Sequence, residues 1–443
     1  MALFSLNWQT YKILYPLLFP LFILFRQICS DNIPVIKNSK ITDNLFMMTT
    51  FMFFSEMICG ILEPLRMWLS KRKMNTKTHT ITMHQKTKII DYLEEWIKRS
   101  GNVIVEIIAI LVIALLDYGG FIIIELPNYL TKNKEELRTY TKYTKEELFF
   151  INDLSATLRM TEIVFLSILT THVFGYMIYK HHTFSRLIQT ISIVILVVLF
   201  FILVLCYELK QYWLYLLSVL TFSFSFFLYS CKNICIKWMI EKRFYSPFLL
   251  IFYVGLAGLL LMVITFVIIN TAITTSNCHF AICIRNMRHF FSSLGNDGKT
   301  LGLLIGIFIC GAIINMFQYL TNQYFNPCYI GIGDSITGFI LFIYFLISSP
   351  DNNLSYINNY IYWILIVICG IIYLISVFSC LVYTENIVCY FANLNENVTS
   401  EIMKRAKNDI VTSQEVLNHE ISLIERPSER VTNNQEEEDE LAQ

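Results

Sequence analysis

The chain has 443 residues, with 34 basic and 34 acidic side chains, 55% apolar residues and a mean hydropathy of +0.53. That apolar weight excludes an ordinary soluble domain, and zero net charge removes the global field by which a protein gathers nucleic acid. Twelve cysteines are scattered without a CxxC pair, so no zinc or dithiol redox centre is indicated, and neither a metal nor a cofactor is expected.

Apolar runs long enough to cross a bilayer, roughly 20 residues for about 30 Å of hydrocarbon, fill residues 11 to 383. Ten are read: 11–29, 45–69, 102–124, 148–178, 184–207, 211–236, 246–270, 300–320, 327–348 and 360–383. The opening residues are mixed rather than basic, and no small-residue cleavage site follows the first run, so 11–29 reads as a helix and not as a cleaved signal. The expected class is an all-α integral membrane protein embedded in the lipid bilayer. Residues 1–10 form a cytosolic N-terminus, 11–207 and 208–384 two five-helix halves, and 385–443 a cytosolic tail.

Positive charge orients the spans. The loop after span 2 carries Lys71, Arg72, Lys73, Lys77, Lys86, Lys88, Lys98 and Arg99. The loop after span 4 carries Lys180 and Arg186, and the loop after span 6 carries Lys237, Lys242 and Arg243. These even-numbered loops are expected to be cytosolic, as are both termini. Loop 3–4, with Lys132, Lys134, Arg138, Lys142 and Lys145, argues the other way. A sequon at Asn353 falls on the lumenal side of this topology, while a second at Asn397 falls in the tail. In the loop after span 2, residues 88–99 place Ile89, Ile90, Leu93 and Ile97 at helical spacing, which suits either a membrane-surface helix or a solvated one. Cys278 and Cys283 share one polar loop and form either a disulfide or two free thiols. The tail is expected to hold a short helix near 400–425 and then an acidic disordered stretch at 436–440.

Several spans carry polar groups that hydrocarbon penalises, by about 2.5 to 3.5 kcal/mol for a charge at a helix centre. Arg159 and Glu162 sit three apart in span 4 and share a face. That face must look into the bundle, either as an anion-binding or gating arginine with a carboxylate partner or as a salt bridge that pins helices. Asp117 in span 3 and Asp334 in span 9 are the natural partners of Arg159. Asp334 lies among Gly331, Gly333 and Gly338, where backbones can approach. Glu56 in span 2 is a further acid, and any of these carboxyls could carry a coupling proton. His172 could relay protons or be a hydrogen-bonded structural residue, and His181 and His182 are expected at the interface. Gly302 and Gly306 form a GxxxG expected to serve helix packing.

Ten spans divide into five plus five, and an odd number per half forces inverted topology. Ala114-Leu115-Leu116-Asp117 in span 3 and Ala312-Ile313-Ile314-Asn315 in span 8 place a polar residue at the same offset, so Asn315 joins the candidate site. Gly298-Lys299-Thr300 resembles the end of a phosphate loop, but Ser293 stands where the loop needs glycine. With no HExxH, GxSxG or dinucleotide fingerprint either, the chain is not expected to be an enzyme.

Four stretches together resemble the drug/metabolite transporter superfamily, and within it the nucleotide-sugar-transporter-like solute carriers of family 35, class F. They are Phe51-Met52-Phe53-Phe54-Ser55-Glu56-Met57-Ile58-Cys59, Ala114-Leu115-Leu116-Asp117, Leu158-Arg159 with Tyr179-Lys180-His181-His182, and Asp334-Ser335-Ile336. Leu381-Val382-Tyr383-Thr384-Glu385-Asn386-Ile387 is similar to the family's exit from its last helix. The resemblance spans residues 45–395 and implies an inverted five-plus-five repeat with a central cavity opened alternately to each side. It implies a small polar solute as ligand and an endomembrane location (Golgi, ER, vacuole or lysosome); the oligomeric state stays open, with a homodimer as one option. The chain departs from the pattern at Met160, where the family has glycine, at Thr337, where it has a basic residue, and in an expanded loop 3–4. The loop bearing Cys278 and Cys283 is similar to the chloroquine-resistance-transporter-like branch, which implies export of amino acids or peptides. A non-transporting scaffold or complex subunit on the same fold is the alternative.

Overall fold

The computed structural model describes residues 8–33, 35–36, 39–40, 45–61, 103–133, 154–175, 179–206, 212–272, 298–348, 360–398 and 401–402. Ten long helices dominate them: α1 (Trp8–Asp31), α2 (Leu45–Gly60), α3 (Val103–Asn133), α4 (Thr161–Phe174), α5 (Lys180–Cys206), α6 (Tyr212–Arg243), α7 (Pro247–Ala272), α8 (Gly298–Tyr324), α9 (Cys328–Ser348) and α10 (Tyr360–Tyr383). A two-residue antiparallel pair, β1 (Val35–Ile36) with β2 (Ser39–Lys40), lies between α1 and α2. α4 continues a helical segment, 154–159, across a turn at Met160, and the combined stretch Leu154–Phe174 is of spanning length. Nine helices among the described residues are long and apolar enough to cross a membrane, and α2, with 16 described residues, is as apolar as its neighbours. The protein is therefore an all-α, multi-pass integral membrane protein.

The helices match the expected spans, with three differences at the ends: α3 runs on to Asn133 and takes Lys132 out of loop 3–4, and α5 and α6 take in basic residues as well. Lys180 and Arg186 belong to the first turns of α5 rather than to a loop, and Lys237, Lys242 and Arg243 belong to the last turns of α6. Each helix outruns its apolar run because the backbone ladder continues through polar residues whose long side chains reach the interface or an internal partner. On α6 an ion pair of Lys237 with Glu241 holds those turns together. Residues 244–246 alone separate α6 from α7, and 176–178, between α4 and α5, lie outside the described residues. Residues 62–102, 134–153, 273–297 and 349–359, with Cys278, Cys283, the surface-helix candidate and the Asn353 sequon, lie outside the described residues, as does the tail beyond 402.

Lipid and core faces separate cleanly. Leu187, Ile191, Val194 and Val198 of α5 and Ile364, Val367, Ile371 and Leu374 of α10 stand exposed, an apolar surface that water would reject and hydrocarbon accepts. α4 and α9 are the most enclosed spans and occupy the centre. Leu158, Met160, Phe222, Phe226, Phe342 and Tyr373 form the largest core cluster around them.

Helix neighbours recur with an offset of five. α2 packs on α7, α4 on α9 and α5 on α10. The contact of α1 with α8 has its counterpart in α6 with α3, that of α1 with α9 in α6 with α4, and that of α2 with α8 in α7 with α3. Likewise α4 on α5 corresponds to α9 on α10, and α2 on α3 to α7 on α8. The contacts of α6 with α8, α8 with α9 and α5 with α6 have no comparable counterpart among the described residues.

Two of the central crossings depend on glycine. A Cβ on Gly331 of α9 would sit 2.5 Å from Cβ of Ile163, and one on Gly338 would sit 2.7 Å from the carbonyl of Ala156. On α7, a Cβ at Gly255 would meet the backbone of Met57 at 2.5 Å. The α5–α10 crossing is polar instead: the Ser185 hydroxyl donates to the carbonyl of Ser379 (2.6 Å), and the Ser379 hydroxyl donates back to the carbonyl of Ser185 (2.9 Å). Gly302, by contrast, has nothing near its Cβ position, and Gly306 faces only Cys29 Sγ at 3.1 Å, so the GxxxG is not a tight helix crossing among the described residues. Gly331→Val should therefore lower the unfolding temperature in detergent, costing about 2 kcal/mol or more by overpacking. Gly302→Val should leave it unchanged, and equal effects of the two substitutions would contradict this packing.

Candidate functional site

The centre of the bundle gathers ionisable side chains that hydrocarbon would otherwise exclude. Glu56 comes from α2, Asp117 from α3, Arg159 from the segment leading into α4, Glu162 from α4, Lys232 from α6 and Asp334 from α9. Glu56, Asp117, Glu162, Lys232 and Asp334 are all buried.

The cluster has two arms. In one, Lys232 Nζ donates to Asp117 Oδ1 at 3.0 Å and lies over the Tyr229 ring at 5.2 Å. Glu56 lies against this pair, within electrostatic reach of both charges. No donor among the described residues reaches either of its carboxylate oxygens. Tyr319 of α8 brings a buried hydroxyl, also without a partner among the described residues, toward Glu56 and Asp117. In the other arm, Arg159 Nη1 donates to Asp334 Oδ1 at 3.1 Å, with the Arg159 guanidinium over Phe226 at 5.8 Å. Glu162 faces this pair and accepts from Asn233 Nδ2 at 2.8 Å; Asn233 in turn accepts from Asn322 of α8 at 3.4 Å. Lys232 interacts with Glu56 and Asp117 on one side and with Glu162 on the other, so it joins the arms.

The arms differ in access. Arg159 keeps 23% of its side chain exposed while its partner Asp334 keeps 2%. The Lys232–Asp117 pair is dry, at 4% and 3%. The backbone beside Arg159 is irregular. The Met160 amide bonds back three residues to Thr157, and the Thr161 hydroxyl bonds the carbonyl of Leu158, which together break the regular ladder at the turn. Met160 is fully buried there, and its sulfur accepts from the Ser376 hydroxyl of α10.

Of the residues singled out in sequence, Glu56, Asp117, Arg159, Glu162 and Asp334 come together. Asp334 is the partner of Arg159, whereas Asp117 pairs with Lys232 instead. Asn315 stays outside: it is half-buried and makes no hydrogen bond to another described residue. One and two turns further along α8, Tyr319 and Asn322 take the place in the cluster that the offset with Asp117 had given it. Lys232 and Asn233 are the residues sequence reasoning missed. With span 6 closed at 236 they lay at its polar end, but α6 runs on to Arg243 and places both inside. The intramembrane-charge argument applied to Arg159 would have found Lys232.

Counting formal charges, four carboxyls face two cations. Two acids therefore need a proton or a bound cation as counter-charge, because a low-dielectric interior tolerates no uncompensated pair. Among the described residues no group of His, Cys, Asp and Glu is arranged to hold a metal ion. His172 bonds the carbonyl of Ile168 within its own helix, and buried His181 lies 3.5 Å from Glu385 just beyond α10. No protein-family model matches the chain, and no curated protein matches it in sequence.

Asp117→Asn should destabilise the protein by about 3–5 kcal/mol, since it strands Lys232 in a dry interior. The double replacement Asp117→Leu, Lys232→Met should recover most of that loss. Thermal unfolding in detergent reads both, and a double variant no better than the single one would contradict the pairing.

Proposed function

We propose that this protein is a secondary transporter of a small polar organic solute, built on the drug/metabolite transporter plan that its sequence resembles and working by alternating access. The observation that carries the reading is the Arg159–Asp334 pair, a part-exposed ion pair joining the two most enclosed helices at the centre of a membrane bundle. Intramembrane charge is costly, and where it is kept it commonly lines a solute or ion path. The fivefold offset in helix neighbours supports an inverted repeat, because five helices per half place the halves in opposite orientation. In that arrangement α4 and α9 are equivalent, and a pair bridging them is placed to open and close as the halves rock. The broken ladder at Met160 gives α4 a flex point beside Arg159. Cytosolic termini and an endomembrane location go with this reading, as does a nucleotide-sugar-like or other metabolite solute.

Arg159 receives an anionic or hydrogen-bonding group of the solute, and Asp334 takes the guanidinium back when the solute leaves. Buried Met160 favours a second reading, a non-transporting membrane subunit. Bonded to Ser376 where the family has glycine, it ties α4 to α10 at the place where movement is needed.

The test is solute flux in proteoliposomes, using nucleotide sugars, nucleotides, amino acids, short peptides and organic cations. One class should be taken up. Arg159→Ala should cut that uptake by about tenfold or more, the loss of a charge-assisted contact of at least ~1.4 kcal/mol, while the protein still folds, with an unfolding temperature lowered by the unpaired Asp334. No flux from any class, together with a protein that retains partners through purification, would favour the subunit instead.

A further inference from the structure

The dry arm of the cluster has no part in receiving a solute, and its chemistry points elsewhere. Glu56 is fully buried; no donor reaches either of its carboxylate oxygens, and its hydrogen-bonding neighbour is another acid, the Asp117 carboxyl. The groups that face it can be named helix by helix. α3 presents Asp117, α6 presents Lys232, α8 presents the Tyr319 hydroxyl, and α2 itself contributes Cys59. α7 comes close at Gly255, where a built Cβ would lie 3.0 Å from that of Glu56, and this helix carries no charged residue. One cation thus faces two acids, and Lys232 is already committed to Asp117 at 3.0 Å. Among the described residues no group of His, Cys, Asp and Glu is arranged to hold a metal ion, and a proton is the simplest counter-charge for the second acid.

We propose that Glu56 is an exchangeable proton site, the ion site of the transporter proposed above, on which reading this inference rests. An O–H bond forms on a Glu56 carboxylate oxygen when the site faces a water route and breaks when the proton returns to water. No other bond changes. Lys232 supplies the link to the solute end, because it interacts with Glu56 and Asp117 on one side and with Glu162 on the other. When the proton leaves Glu56, the new carboxylate draws Lys232 toward α2 and away from Glu162. Glu162 is then left as a competing anion beside Arg159, and the Arg159–Asp334 pair is altered without any contact between proton and solute.

Infrared difference spectra of the full-length protein in nanodiscs, taken between acidic and alkaline buffer, test this directly. The wild type should lose a protonated-carboxyl carbonyl stretch on the alkaline side. Glu56→Gln, an uncharged replacement of the same shape that should keep the fold, should remove the Glu56 component of that signal. Glu56→Asp should restore it at a shifted frequency, and Arg159→Ala should leave it in place. A difference spectrum that is unchanged in Glu56→Gln, or a wild type with no pH-dependent band, would overturn the proposal. Failure of the transport reading registers separately, as absent solute flux in the wild type, and leaves the infrared result standing.

Discussion

A charge inside hydrocarbon must find an opposite charge, and in this protein that requirement decides which helices meet. Lys232 on α6 and Asp117 on α3 cancel at 3.0 Å, and Arg159 beside α4 and Asp334 on α9 cancel at 3.1 Å. Each pair fixes one helix crossing in place and in register, since a displacement of one turn would leave both partners stranded at a cost of several kcal/mol. The hydrophobic effect does little of this, because lipid tails are as apolar as leucine. The glycines of α9 and α7 then determine how closely the paired helices can come.

The two pairs are not equivalent. Dry burial makes the Lys232–Asp117 pair structural in its effect: removing one partner should harm folding before it harms anything else. Partial exposure sets the Arg159–Asp334 pair apart, and on the proposed transport reading a solute group could replace the carboxylate there without first crossing a closed core. Lys232 stands between them, and a bundle with two acids in excess has a charge that can be filled and emptied.

Much of this architecture was legible in the sequence. The number and order of the helices follow from apolar runs, and Arg159, Glu162, Asp117, Asp334 and Glu56 announced themselves as charges in those runs. The partnerships were only half legible. Arg159 with Asp334 follows from the five-plus-five division, but Asp117 gave no sign that its cation would come from α6. Lys232 was hidden because a lysine near the end of an apolar run looks interfacial. Its depth becomes apparent only when the helix is seen to continue to Arg243. Asn315 was chosen by a matching offset, and an offset fixes a height along a helix without fixing which way the side chain faces. Tyr319 and Asn322, on the face that turns inward, are in the cluster in its place.

The central claim is that the two halves rock about the crossing of α4 and α9. Spin-label distance measurements in nanodiscs test it most directly. One pair of labels would be placed at Thr183 on α5 and Gln323 on α8, and a second at the opposite end, at Ile202 and Lys299, all at exposed positions. The account predicts two distance populations for each pair, with the longer one growing at one end as it shrinks at the other when the buffer pH is changed. A single, unchanged distribution at both ends would contradict it.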